Sequence, residues 1–132
     1  MSDAPSKAER PLSPHLQIYK PSITMVMSVA HRVTGAALYF GTFLMAWWLM
    51  SLAGGEHYYE FTRAVFGSWI GRLVLFGYTW ALIHHMLGGI RHFIWDTGAQ
   101  FERAERDRLA VLTIAGSVAL TLLVWIIGYA VR

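Results

Sequence analysis

The chain alternates long apolar stretches with short polar segments. Residues 33–53, 73–90 and 109–131 contain no Asp, Glu, Lys or Arg. The hydrocarbon core of a bilayer is about 30 Å thick, and a helix rising about 1.5 Å per residue needs roughly 20 residues to cross it. The pattern therefore predicts an all-α membrane protein with three transmembrane helices.

The polar residues between these stretches predict where the helices end. Pro11, Pro14 and Pro21 recur too closely for a continuous helix. Residues 1–21 are therefore expected to form an extended polar N-terminal segment, followed by a three-helix domain over 22–132. The first loop has room for a short interfacial helix, and the second loop is a charged connector. The predicted helices cover about 22–53, 67–96 and 108–131.

Composition supports a membrane protein and excludes several kinds of chemistry. Hydrophobic residues make up 55% of the 132 residues and charged residues 14%, whereas ordinary soluble domains contain about 25% charged residues. The absence of cysteine excludes disulfides, thiolate-bound iron–sulfur clusters and cysteine nucleophiles within this chain. The net charge is +3, but the basic residues are scattered and form no dense run interleaved with aromatic residues. We therefore expect no nucleic-acid partner.

The positions of Lys and Arg predict the orientation in the membrane. Cytoplasmic loops carry an excess of these residues near the ends of the spans. Three of them lie on one side of the bilayer: Arg63, Arg72 and Arg132. The other eight lie on the N-terminal side: Lys7, Arg10, Lys20, Arg32, Arg91, Arg103, Arg106 and Arg108. The N-terminus is therefore predicted to be cytoplasmic.

The N-terminal residues also indicate the compartment. The first ten residues are polar and include Asp3 and Glu9, without the apolar core of a secretory signal. Their acidic residues argue against a transit peptide. We therefore expect a bacterial inner membrane rather than the mitochondrial inner membrane.

Two adjacent histidines inside the second predicted helix are the main candidates for function, because ionisable residues within a membrane are costly. His85 and His92 are seven residues apart and share one helix face, with about 10.5 Å of rise between them. Gly88 and Gly89 lie between the two and leave space for a flat or bulky group. A haem fits such a surface because imidazole binds its iron. His84 is rotated by about 100° from His85 and is interpreted as a packing or hydrogen-bonding residue.

The same geometry limits how an iron could be held. Two axial ligands lie about 4 Å apart, so His85 and His92 cannot bind one iron together. The other spans carry no histidine at the depth of His85, although Met45 remains open as a ligand. The simplest inference is that a second chain supplies the opposite histidine. The remaining histidines lie at the cytoplasmic edge or outside the spans: His31, His15 and His57.

Polar residues at the predicted cytoplasmic edge suggest two further contacts. His31, His92 and Arg91 could hold haem propionates, and Arg91 could equally be a positive-inside anchor. Ser28 and Arg32 lie one helical turn apart and could bind the carbonyl oxygens of a quinone. A capping serine beside a snorkelling arginine explains that second pair equally well.

Three blocks of the sequence form a recognisable pattern: RPLSPHLQIY at 10–19, SVAHRVTG at 28–35 and HMLGGIRHFIWD at 85–96. Together they resemble the cytochrome b membrane-anchor subunits of succinate dehydrogenase. The resemblance covers nearly the whole chain, and the second and third blocks in this order, each on its own span, form a specific combination.

This resemblance implies a fold, a cofactor and partners. It implies a haem b shared with a second small anchor subunit, His85 as axial ligand and His31 and His92 as propionate contacts. Ser28 and Arg32 would belong to a ubiquinone site. An iron–sulfur subunit and a flavoprotein subunit would dock on the membrane face and pass electrons from succinate to ubiquinone. The chain itself would be a non-catalytic subunit.

Other functions remain open at the level of sequence. The chain could be a haem-free structural anchor, the anchor of a related fumarate reductase, or a proton-conducting subunit with His84 and His85 as a relay. The structural anchor leaves both histidines unexplained. The relay lacks intramembrane carboxylates, because Asp96 lies at the membrane edge.

Overall fold

A computed structural model of the chain describes residues 13, 15–16 and 18–131, and within them all regular structure is helical. The helices are α1 (Ile23–Ala53), α2 (Glu56–Gly67), α3 (Trp69–Asp96) and α4 (Arg103–Ala130). Three of them, α1, α3 and α4, are long and apolar enough to cross a membrane. The predicted class, an all-α membrane protein with three spans, is confirmed. Most of the predicted N-terminal segment 1–21, together with residue 132, lies outside the described residues.

Local sequence explains where the helices begin. The hydroxyl of Ser22 accepts a hydrogen bond from the backbone N–H of Met25 at the start of α1. The hydroxyl of Ser68 accepts one from the backbone N–H of Gly71 at the start of α3. Both serines are N-caps, which satisfy N–H groups that the first helical turn leaves without a partner. Between α1 and α2, Gly55 has φ 93°, a conformation that favours glycine.

Both connections between the long helices contain helical residues that a simple loop would lack. The first contains a short helix, α2, for which the sequence left room. The second is helical from Arg103 onward, although the sequence predicted a helix only from about 108. A capping box starts α4, because the Glu102 carboxylate accepts from the backbone of Glu105 and the Glu105 carboxylate accepts from the backbone N–H of Glu102.

The interior of the bundle is small and polar, whereas its surface is large and apolar. The middle helix, α3, packs against α1 on one side and α4 on the other. Few apolar side chains are buried among the described residues: Met27, Ala81, Ile83 and Ala110. Buried Thr34, Thr113, Ser117 and Thr121 donate hydrogen bonds to carbonyl oxygens of their own helices. Small and hydroxyl-bearing interfaces are typical of helices that associate within lipid, and the exposed apolar surface suits lipid or further helices.

Candidate histidine site

His85 lies where α3 contacts α1, and its hydrogen bonds define which ring nitrogen is free. Its Nδ1 is 3.1 Å from the carbonyl oxygen of His31 and 3.4 Å from the hydroxyl of Thr34. The Thr34 proton is directed to the carbonyls of Ala30 and His31, and a carbonyl oxygen can only accept. Nδ1 of His85 therefore carries the proton and donates it to the carbonyl of His31. The lone pair is left on Nε2, and this is the form of histidine that binds a metal.

Two glycines allow the imidazoles of His31 and His85 to stack between α1 and α3. The ring centroids are 4.0 Å apart and the planes differ by 4°. His85 packs over Gly35, where an added Cβ would lie 3.0 Å from its Cε1. His31 packs over Gly88, where an added Cβ would lie 2.9 Å from its Cε1. The helices are thus joined by a reciprocal pair of contacts, each histidine filling the space beside the other helix's glycine.

This packing changes one expectation from the sequence. Gly88 and Gly89 were both expected to leave space for a bound group. In the structure His31 of the same chain fills the space at Gly88. Beyond the local helix, none of the described residues lies within 4 Å of a Cβ placed at Gly89. Of these two glycines, only Gly89 keeps an open surface.

His92 completes a row of three imidazoles. Its ring centroid lies 5.4 Å from that of His31 and 5.2 Å from that of Trp95. His31 therefore lies between His85 and His92, which share one face of α3 as the spacing predicted. His92 is exposed at the end of this row.

Arg91 faces a different direction from His92. It is only 4% exposed, and its guanidinium carbon lies 5.1 Å from the centroid of the Trp95 ring. Its Nε and Nη1 have no hydrogen-bond acceptor among the described residues. Arg91 lies seven residues after His84, so it belongs to the buried face of α3. Its side chain is therefore covered by the bundle, unlike that of His92.

His84 links α3 to α4 through a buried hydrogen bond. It is 2% exposed, its Nδ1 lies 3.2 Å from the hydroxyl of Ser117, and the ring packs against Trp80. Ser117 already donates its proton to the carbonyl of Ile114, so Nδ1 of His84 is the donor in this bond. The position of His84 agrees with its interpretation as a hydrogen-bonding residue between helices.

Ser28 and Arg32 lie on the exposed surface of α1. They are one turn apart, as predicted, but no hydrogen bond joins them in the described part of the chain. Gly35 lies farther along the helix and is occupied by the contact with His85. The two polar side chains are thus available on the surface beside the histidine row.

The three imidazoles do not form a cage for a bare metal ion. Among the described residues, no group of three or more His, Cys, Asp or Glu side chains is arranged to hold one. The parallel stack of His31 and His85 is one reason, because coordination to a common ion requires nitrogen lone pairs that converge. A metal at this site would need most of its ligands from a cofactor or from another chain.

The sequence did not predict an apolar cavity beside the histidines. It has a volume of about 540 Å³ and lies between the start of the described chain, α1 and α3. Thr34, which lines it, also lies 3.4 Å from Nδ1 of His85. Tyr19 closes one side and donates a hydrogen bond to the sulfur of Met25 at 2.8 Å. Only the proximity of Tyr19 and Met25 in sequence could have indicated this contact.

Three long apolar helices, two of which meet at a row of histidines, define a multi-pass membrane protein. The chain belongs to the family described as "Succinate dehydrogenase/Fumarate reductase transmembrane subunit", whose sequence model matches residues 6–124. This confirms the resemblance found in the three sequence blocks.

Bacterial and mitochondrial relatives cover most of the chain. The succinate dehydrogenase cytochrome b556 subunit of Paracoccus denitrificans is 37% identical over 94% of this chain and 95% of its own length. The protein of the same name from Rickettsia typhi is 35% identical over 89% of this chain and 92% of its own. The mitochondrial succinate dehydrogenase cytochrome b560 subunit of Sus scrofa is 35% identical over 86% of this chain and 70% of its own.

Proposed function

We propose that this chain is the membrane anchor of a succinate dehydrogenase and that His85 is an axial ligand of a haem b. The observation that carries the proposal is the hydrogen bond from Nδ1 of His85 to the carbonyl of His31, 3.1 Å long. A metal-binding histidine almost always donates its other N–H in this way, which fixes the ring and leaves Nε2 for the metal. The relatives named cytochrome b support the same cofactor.

The opposite axial ligand is proposed to come from a second anchor subunit. Met45 was the alternative within this chain. His85 lies at the depth of Gly35, with which it is in contact, and Met45 is ten residues farther along the same helix, or about 15 Å. Two ligands of one iron lie about 4 Å apart, so Met45 is at the wrong depth.

Unsatisfied hydrogen-bond donors near the histidines fit a group with carboxylates. Nε and Nη1 of Arg91 and Nε1 of Trp95 are buried N–H groups without an acceptor among the described residues. Each such group costs about 1–3 kcal/mol when it is left unpaired. The propionates of a haem would supply acceptors for Arg91, and His31 and His92 would be further contacts at the same end of the bundle.

In this function the chain holds and orients the redox group rather than breaking bonds. A bound haem b supplies a one-electron carrier within the bilayer. We propose that α1, α3 and α4 span a bacterial inner membrane with the histidine row at the cytoplasmic side. There the chain would fix an iron–sulfur subunit and a flavoprotein subunit that transfer electrons from succinate toward ubiquinone.

Ser28 and Arg32 are proposed as donors to the carbonyl oxygens of ubiquinone. Both side chains are exposed on α1, on the helix that contributes His31 to the histidine row. A hydroxyl and a guanidinium offer the N–H and O–H groups that quinone oxygens require, while the isoprenoid tail remains in lipid.

The substitutions Ser28→Ala and Arg32→Leu test this quinone site. We expect succinate:quinone activity to fall by about tenfold or more in Arg32→Leu, since a hydrogen bond to a charged group contributes about 1.5–3 kcal/mol. The fall in Ser28→Ala should be smaller, since a neutral hydrogen bond contributes about 0.5–1.5 kcal/mol. Succinate oxidation by an artificial acceptor should remain at the wild-type rate, because that electron path does not need the quinone site.

A matched control is Thr42→Ala, which removes another exposed hydroxyl from α1, 14 residues or about 21 Å from Ser28. Thr42→Ala should leave both activities unchanged. An equal loss of both activities in the Ser28 and Arg32 variants would instead point to failed assembly and would remove the support for a quinone site.

The hydrogen bonds around His84 argue against a proton relay. A relay needs hydroxyls or carboxylates that pass a proton from one to the next. Ser117 and Thr121 both donate to backbone carbonyls of α4, so no chain of side-chain hydrogen bonds continues from His84 along this helix. A role for His84 in joining two helices accounts for its position more simply.

A further inference from the structure

A second cavity lies at the end of the bundle away from the histidine row. Its volume is about 510 Å³, and α1, α2, α3 and α4 all contribute residues to it. It is located where α1 ends and α3 begins, at one edge of the three spans. Neither the haem nor the quinone proposed above uses this cavity, and it therefore requires its own explanation.

Two arginines from different helices mark the outer end of this cavity. Arg63 belongs to α2 and Arg72 to the first turn of α3, and both line the cavity with Tyr59 and Tyr129. No Asp or Glu is among the described residues that line the cavity. Guanidinium groups bind phosphate oxygens through paired N–H donors. The charge at this end thus suits a phosphate.

The opposite end of the cavity is apolar. Leu75, Val124 and the indole of Trp125 form its wall. The indole is held in place because its Nε1 donates to the hydroxyl of Thr79 at 3.3 Å and its ring packs edge-on against Phe76. Arg72 and Thr79 are seven residues apart on α3, so the wall extends about 10 Å from the arginines toward the centre of the span.

The position of the arginines argues against simple anchoring. In the proposed orientation they are two of the three cationic residues on the outer side, where Lys and Arg are generally few. Both line one cavity instead of being spread over the outer surface. A ligand with an anion at the membrane edge and a hydrocarbon chain directed inward fits this arrangement of charge and apolar wall.

We propose that the cavity between Arg63, Arg72 and Trp125 binds an anionic phospholipid. The phosphate contacts the two guanidinium groups, with the tyrosine hydroxyls as further donors. One acyl chain lies along Leu75, Val124 and Trp125. The lipid joins α2 to the ends of α3 and α4, and it does so independently of the haem and of the quinone.

The test uses the assembled complex, purified in detergent and stripped of loosely held lipid. Phosphatidylglycerol and phosphatidylcholine are titrated separately, and lipid retention is measured by native mass spectrometry together with the thermal unfolding midpoint. Phosphatidylglycerol should be retained and should raise the midpoint, whereas phosphatidylcholine should do so at least about tenfold less effectively. In the double variant Arg63→Gln/Arg72→Gln this preference should disappear, because the charge-assisted contacts to the phosphate are lost.

The double variant Arg103→Gln/Arg108→Gln is the matched control, because it removes the same charge from exposed positions of α4 at the other end of the bundle. It should keep the preference for phosphatidylglycerol. Equal retention of both lipids by the unaltered complex would overturn the proposal, and so would unchanged retention in Arg63→Gln/Arg72→Gln. Displacement of the lipid by ubiquinone would also contradict it. The haem spectrum should be unaltered in the Arg63→Gln/Arg72→Gln variant. The result of the lipid test is therefore independent of the haem proposal.

Discussion

The variant His85→Ala is expected to assemble without a b-type haem spectrum. The substitution removes an iron ligand, and a haem retained by the partner's ligand alone would lose the spectrum of a six-coordinate iron. Changes in the groups that merely support a metal ligand already alter metal affinity by about 10–100-fold, so removal of the ligand itself should be more severe. The reduced-minus-oxidised difference spectrum of the purified complex measures this loss.

The neighbouring histidine provides the control for this experiment. His84→Gln keeps an amide that can donate to Ser117, and His84 lies on the α4 side of α3. Its haem content per assembled complex should match that of the wild type. A His85→Ala complex with an unchanged spectrum would show that another residue binds the iron, and loss of haem in both variants would show that α3 had been displaced.

The variant Gly88→Ala is expected to separate α1 from α3 at the histidine row. Its Cβ would approach His31 too closely, and the His31 ring cannot retreat without losing its 4.0 Å stack on His85. Overpacking of this kind costs about 1–3 kcal/mol. We expect a lower thermal unfolding midpoint and weaker haem retention, measured on the same complex by thermal melting and by haem absorbance.

Gly77→Ala is the corresponding control on α3, because in the described part of the chain a Cβ at that position meets no atom within 4 Å beyond its own local helix. It should leave both the midpoint and the haem content unchanged. If Gly88→Ala melted at the same temperature as Gly77→Ala, the close packing of His31 over Gly88 would be incorrect.

The sequence predicted the spans and the shared face of His85 and His92 well, for physical reasons. Lipid crossing requires a continuous apolar stretch, which hydropathy reports directly. The face of a helix follows from a rotation of about 100° per residue, so residues seven apart are necessarily aligned. Both properties belong to a single helix and need no knowledge of its neighbours.

Features that depend on the packing of two helices could not be predicted from the properties of a single helix. The space at Gly88 was expected to hold a bound group, but only the packing of α1 shows that His31 fills it. Arg91 and His92 are neighbours in sequence, and only the packing of α3 in the bundle shows that the first side chain is buried and the second exposed. The earlier start of α4 depends on the capping box of Glu102 and Glu105, to which hydropathy is insensitive. The cavity lined by Arg63 and Arg72 brings together residues of α2 and α3.

The most direct test of the central claim is the difference spectrum of the wild-type complex, recorded after its chains have been identified by mass spectrometry. Among the described residues this chain offers one iron ligand, His85. The ring of His31 lies beside it, 4.0 Å away, but the two rings are parallel, so their lone pairs do not converge on one iron. We therefore predict a b-type haem spectrum in a complex that contains a second small membrane chain. A complex with all of its subunits but no haem would contradict the account, and so would a full b-type spectrum from this chain without a membrane partner.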